Sequence, residues 1–190
     1  MEEKKEIDII RSVLGGDRDS YALIVDKYKV PIFNLAFRMT GSCEDASDLA
    51  QETFIKAFEN LGRFDQKRKF FTWLYTIGLN IVRNHLKREK KIPLRDFAED
   101  TDFSSRDKSL NPEHSLMRDQ KVKRLNVCFH SLTDNLRELV VMRFYQELSF
   151  EEIAEITGLS LSAAKMRAYR GLEKIREMME EQPGESDRRL

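Results

Sequence analysis

The 190-residue chain is 41% apolar and 35% charged, enough apolar material for one larger domain or two small ones. Its 33 basic and 33 acidic side chains cancel, so net charge excludes no class of partner and only the placement of charge along the chain is informative. No apolar run approaches the roughly 18 residues of a membrane span, and the start MEEKKEIDII lacks the basic-then-apolar order of a secretory signal, which predicts a cytoplasmic protein. Cys43 and Cys128 form no C-x-x-C, and His85, His114 and His130 show no zinc-ligand spacing. No metal or cofactor is expected, and both cysteines read as buried small hydrophobes rather than a redox pair.

Residues 7–14 place apolar side chains at helical spacing, and Gly15-Gly16 then breaks the run. Asp19 or Ser20 is the candidate cap of a second helix that passes Pro31, continues to Met39 and stops at Thr40-Gly41-Ser42. Residues 44–61 form a third helix, with Ala46, Leu49, Ala50, Thr53, Phe54, Ala57, Phe58 and Leu61 on one apolar stripe. Its other face is acidic: five acids against Lys56 leave −4. A fourth helix runs from about residue 70 to 91, where Pro93 stops it, and Phe70, Trp73, Leu74, Ile77 and Ile81 are its predicted core stripe.

Residues 63–91 hold nine bases and two acids, a local balance of +7 directly after the acidic helix. Cations around exposed flat groups, with an amide such as Asn80, suit single-stranded nucleic acid, where phosphates meet the charges and each stacked base contributes about 1–3 kcal/mol. An acidic helix beside a basic one predicts two different partners.

The stretch IPLRDFAEDTDFSSRDKSLNPEHS is rich in Asp, Ser and Pro and reads as a flexible acidic linker, residues 93–112, between domains at 1–92 and 113–180. Helical spacing resumes at Leu116, Val122, Leu125, Val127 and Phe129, and the tail, 181–190, is expected to be disordered. In LSFEEIAEITGLSLSAAKMRAYRGLEKI, Ser149 and Glu152 make a capping box, Gly158 permits a turn and Ser160 caps the next helix, which predicts a helix-turn-helix. A helical wheel turns Leu161, Ala164, Ala168, Leu172 and Ile175 inward and Ser162, Met166, Tyr169 and Arg170 outward, with Lys165 and Arg167 on the flanks. Residues 162–176 carry +4, from five bases and Glu173, as a helix entering a major groove requires. No strand pattern appears, so the fold class is all-α with two helical domains. A Walker loop, G-x-S-x-G and paired carboxylates are all missing, so no enzyme is predicted, and a free-standing helix-turn-helix regulator remains the alternative.

FRMTGSCEDASDLAQETFIKAFENLGRF followed by KFFTWLYTIGLNIVRNHLKREKK resembles region 2 of the extracytoplasmic-function sigma factors, and SLTDNLRELVVMRFYQELSFEEIAEITGLSLSAAKMRAYRGLEKI resembles their region 4. The resemblance spans residues 8–178, with the motifs in the family's order. It implies a subunit that recruits core RNA polymerase to the promoters of a stress-type regulon. Asp48, Gln51, Glu52 and Phe54 would then dock on the clamp helices of the polymerase β′ subunit, and region 4 on the β flap. The resemblance also gives the minus-ten strand to Arg63, Phe64, Lys67, Arg68, Lys69, Asn80, Arg83 and Lys87, with the loop 64–69 surrounding an extruded base and Asn80 reading it. For the minus-thirty-five element it implies Ser162, Lys165, Met166, Tyr169 and Arg170 toward the groove and Arg143 and Arg167 toward phosphates. It implies, finally, an anti-sigma factor as partner, soluble or membrane-anchored, and no membrane insertion of this chain itself.

Overall fold

The structure is a computed structural model that describes residues 2–90 and 112–180, with side chains from residue 5 in the first helix and from 121 in the fifth. Residues 93–111 of the predicted linker and the predicted disordered tail lie outside the described residues, while residue 112, the last of that linker, already belongs to a helix. Every regular element among those described is helical. The N-terminal half contains α1 (Glu2–Leu14), α2 (Tyr21–Thr40), α3 (Cys43–Glu59) and α4 (Phe70–Glu89). The C-terminal half contains α5 (Pro112–His130), α6 (Asp134–Val140), α7 (Phe150–Thr157) and α8 (Leu161–Glu180).

Local chemistry sets most boundaries. Asp17 caps the helical turn before α2 by accepting from Ser20, so neither Asp19 nor Ser20 supplies the predicted side-chain cap. Pro31 is carried inside α2 without ending it. Ser42 caps α3 by accepting from the Asp45 N–H, and Glu44 and Asp45 in the first turn complement the positive end of the helix dipole. Cys43, in that same turn, is exposed, which corrects the expectation of two buried thiols; Cys128 is buried.

Ile10 of α1, Ile24, Ile32 and Leu35 of α2, Ala57 of α3 and Leu74 of α4 are buried to 1% exposure or less. Each full burial of a side chain the size of Leu contributes about 1.5–3 kcal/mol. On α4 the buried stripe is Phe70, Leu74, Tyr75, Gly78, Leu79 and Val82. It is rotated from the predicted stripe, and Trp73, Ile77 and Ile81 are partly buried on its flank. The rings of Phe64, Phe70 and Trp73 form one cluster with centroids 5.2–5.4 Å apart.

In the C-terminal half, α6 continues through a wide π turn, Val141–Tyr145, whose Val141 and Met142 are buried. Here α8 crosses α6 at Gly171, where a methyl group would stand 2.6 Å from Val140 Cγ2. The buried side of α8 is Ala164, Ala168, Gly171 and Ile175, while Leu161 and Leu172, predicted inward, are exposed. Val122, Leu125 and Val127 of α5 are exposed as well, so of that predicted stripe Phe129 reaches the core, joined by Cys128. The halves touch: α4 packs on α7, and α2 meets α6 and the π turn.

Candidate nucleic-acid interface

The helix-turn-helix is built as its sequence dictates. Ser149 accepts from the Glu152 N–H at 3.2 Å while the Glu152 carboxylate accepts from the Ser149 N–H at 2.9 Å, which fixes the start of α7. Gly158 closes that helix at φ +72°, a left-handed conformation that disfavours a side chain. Ser160 then caps α8 by accepting from the Ala163 N–H at 3.2 Å. Small inward residues let α8 lie close to α6, so its other side projects. Ser162, Lys165, Met166, Tyr169 and Arg170 are exposed and Arg167 is half-buried. The Tyr169 ring packs on Phe150 at 5.9 Å, and the Arg143 guanidinium lies over the same Phe150 ring, 5.0 Å from its centroid. Arg143 also donates to the Leu148 carbonyl at 3.0 Å, so it reaches outward from an anchored position.

The basic surface of the N-terminal half divides into two patches. Phe64, Gln66, Lys67, Arg68 and Lys69 line a cleft of about 390 Å³ whose opposite walls are Glu6, Ile7, Lys27, Tyr28, Phe70 and Phe71. Phe64 is buried, so its ring supports the loop from beneath. The Tyr28 ring stacks on Phe71 at 5.3 Å, and its hydroxyl donates to the buried Glu6 carboxylate, which also accepts from Lys27 at 3.1 Å. Asn80 is not among the lining residues. It is exposed on α4, ten residues beyond Phe70 and hence about 15 Å along the axis. Asn80, Arg83 and Lys87 follow one another at three- and four-residue steps and form a second patch on one face of that helix. The structure therefore brings 64–69 together and Asn80, Arg83 and Lys87 together, as two neighbouring patches rather than one pocket. Glu6, Lys27 and Tyr28 were missed by sequence reasoning, because the α1–α2 contact that carries them to the loop has no local signal.

On α3, Asp48, Gln51 and Glu52 are exposed along the outer face, together with Ile55 and with Phe58, which was expected on the buried stripe. Phe54 is buried, 7% exposed, so the expectation that its ring is offered to a partner is corrected: it holds α3 to the core. The Tyr21 hydroxyl donates to the Phe54 carbonyl at 2.8 Å, and the Tyr21 ring meets Phe58 edge-on at 5.0 Å. Among the described residues no group of His, Cys, Asp and Glu could hold a metal ion, and no helix is long and apolar enough to cross a membrane.

The family model described as Sigma-70 region 2 matches residues 24–92, and that described as Sigma-70, region 4 matches residues 128–177. The ECF RNA polymerase sigma factor SigW of Bacillus subtilis (strain 168) is 32% identical over 180 residues, 90% of this chain and 94% of that protein. The fold is similar to that of CnrH, solved in complex with the cytosolic domain of CnrY, with a TM-score of 0.68, 22% identity and coverage of 90% of this chain and 94% of that one. It is also similar to the sigma factor RpoE from Bartonella quintana, solved with the anti-sigma factor NepR, at a TM-score of 0.67, 17% identity and coverage of 84% and 96%. With both regions in order and a relative matched over nearly its full length, the chain belongs to the sigma-70 family as an RNA polymerase sigma factor of the extracytoplasmic-function (ECF) type.

Proposed function

We propose that this sigma factor is a non-catalytic, cytoplasmic promoter-specificity subunit whose three exposed charged surfaces divide the work. The exposed acidic face of α3, with Asp48, Gln51 and Glu52, docks on the β′ clamp helices of core polymerase, and Ile55 and Phe58 beside it supply apolar area. Region 4 meets the β flap. The loop 64–69 and the Asn80, Arg83 and Lys87 face of α4 take the unpaired minus-ten strand, with Arg63 adding charge where the loop begins. Ser162, Lys165, Met166, Tyr169 and Arg170 read the minus-thirty-five duplex while Arg143 and Arg167 hold its phosphates.

The observation that carries this reading is the segregation of charge: −4 over residues 44–61 and +7 over 63–91, with +4 on the recognition helix. One sign suits a basic protein surface and the other suits phosphate, so a single chain bridges polymerase and DNA. Domain limits near residues 92 and 113 belong to the same reading. So does an anti-sigma factor that masks the polymerase-binding faces, in line with the complex solved for RpoE. The test is transcription in vitro with purified core polymerase and a promoter library. Promoter-directed transcripts that depend on this chain are expected, and absence of both core binding and such transcripts overturns the proposal.

A further inference from the structure

α1 ends at Leu14, before residue 24 where the region 2 match begins, yet it forms one wall of the cleft beside the loop 64–69. Glu6 and Ile7 supply that wall. The Glu6 side chain is 9% exposed, and its Oε1 accepts from Lys27 Nζ at 3.1 Å and from the Tyr28 hydroxyl. The Tyr28 ring, itself buried, stacks on Phe71 at 5.3 Å and leans on Phe70 at 6.0 Å, and Phe70 meets Phe64, where the loop starts, at 5.2 Å. One line of contacts therefore runs from Glu6 through Tyr28, Phe70 and Phe64 to the loop. A second is direct: Arg11 Nε donates to Gln66 Oε1 at 3.2 Å.

Packing alone does not call for this acid. α1 already buries Ile10 and Val13 in the core, and an apolar residue in place of a buried charge commonly holds a fold as well or better. What the carboxylate adds is direction, because the Tyr28 ring cannot turn or slide without leaving its acceptor. The two sides of the cleft differ in chemistry. Lys67, Arg68 and Lys69 on the loop suit phosphates, while Ile7, Tyr28 and Phe71 opposite suit the flat face of a base. At about 390 Å³ the cleft falls within the range of sites that enclose a small ligand. Extruding a base costs its stacking, so the pocket that receives it has to be shaped in advance.

We infer that Glu6 is a positioning residue for the minus-ten strand: it fixes Tyr28, and through it the ring wall against which an extruded base rests, so that α1 belongs to the base-capturing apparatus. The inference rests on the reading of the loop 64–69 as the site of that base. Arg11 sets the loop side of the same cleft through Gln66, so both sides are referred to one helix.

The test uses the full chain bound to core polymerase and a fluorescein-labelled single strand carrying the minus-ten element of a promoter recovered by transcription in vitro. An abasic residue is moved along that strand one position at a time. The wild type is expected to bind the intact strand about tenfold tighter than the strand that is abasic at the extruded position. Glu6→Ala is expected to bring that ratio to about two, with the loss falling on the intact strand rather than on the abasic one, whose phosphate contacts do not need the wall. Glu6→Gln, whose amide oxygen still accepts from the Tyr28 hydroxyl, is expected to restore most of the ratio. Tyr28→Phe keeps the ring without its hydroxyl and is expected to lower the ratio as Glu6→Ala does, so the inference stays refutable if the alanine variant unfolds, which Trp73 fluorescence in urea reports. An equal loss on intact and abasic strands, or an unaltered ratio in both Glu6→Ala and Tyr28→Phe, overturns the inference. A wild type insensitive to the abasic residue at every position overturns it together with the reading of the loop. Absence of promoter-directed transcripts, which leaves no such strand, marks failure of the sigma assignment itself and takes the inference with it.

Discussion

In the N-terminal half, Arg68, Lys69 and Arg83 each meet a carboxylate from the other half, whereas Lys165, Arg167 and Arg170 of α8 hold no ion pair among the described residues. The two basic surfaces have similar sequence chemistry and opposite fates. The reason is geometric. α8 buries a single narrow stripe of Ala164, Ala168, Gly171 and Ile175 against its own half, which leaves most of its circumference in solvent. α4 buries Leu74 and Leu79 among α2 and α3 and is then covered again by α7. A basic face on a helix packed from one side stays open to solvent, while one on a helix packed from two sides is partly covered by carboxylates of its neighbour.

The largest test of this contrast is a pair of core substitutions. Leu74→Ala removes a side chain buried to 0% and is expected to destabilise the N-terminal half by about 2–5 kcal/mol. Trp73, the single tryptophan, sits beside it, so urea unfolding followed by tryptophan fluorescence reports that half selectively. A fluorescence midpoint that does not fall would mean that α4 is not the member its half is built around. Gly171→Ala in the other half is the counterpart. Alanine ordinarily favours a helix over glycine by about 1 kcal/mol, yet here its methyl meets Val140 Cγ2 at 2.6 Å, and overpacking of about 1–3 kcal/mol is expected to win. Circular dichroism should register that loss with a smaller change in Trp73 fluorescence. A more stable Gly171→Ala chain would show that α6 and α8 part at no cost.

The next test compares the two surfaces proposed for DNA. Asn80→Ala is expected to weaken capture of a single-stranded minus-ten oligonucleotide by about 1–3 kcal/mol and to leave core polymerase binding intact. Arg170→Ala is expected to cost a similar amount on duplex minus-thirty-five DNA and to relax sequence preference there, read from a library of duplex variants. Asn80 and Arg170 are both exposed, so neither change should disturb folding. Equal loss of polymerase and strand binding in the Asn80 variant would mark it as structural, and an unaltered preference profile at Arg170 would move base reading elsewhere on α8.

The same contrast explains what the sequence could reveal. Ser149, Glu152, Gly158 and Ser160 act within four residues of themselves, so the capping box, the turn and the start of α8 were legible directly. The resemblance to regions 2 and 4 agrees with the family matches over 24–92 and 128–177. What escaped depends on distant chain. The predicted stripe of α4 placed Trp73 and Ile81 inward because periodicity fixes the width of an apolar face but not its rotation, and here α2 and α3 select the side with Tyr75, Leu79 and Val82. The helical wheel placed Leu172 inward, yet Gly171 beside it occupies the close crossing and Leu172 is left at the surface. The pairs Lys90–Asp134 and Arg68–Glu155 join residues 44 and 87 positions apart, and no local pattern encodes them.

The smallest effect expected comes from the joint itself. The ring of His130 lies against Gly41, where a methyl group would come within 3.3 Å of its Cε1, and its backbone carbonyl accepts from Arg137 Nη2 at 2.7 Å. Burial, reinforced by the neighbouring Arg137 charge, lowers the pKa of the ring to about 4 from an ordinary 6.5. In the unfolded chain the ring takes up a proton near pH 6.5, and in the folded chain it stays neutral until about pH 4. Between those values the unfolded state binds more protons, so this group adds a loss of stability as pH falls from 6.5 toward 4 and no pH dependence above that window. His130→Gln, neutral throughout, should keep more of its urea midpoint than the wild type when both are taken from pH 7 to pH 5. Identical drops in the two proteins would mean that the ring is already solvated at the joint, and with it that Gly41 and His130 do not hold the two halves together.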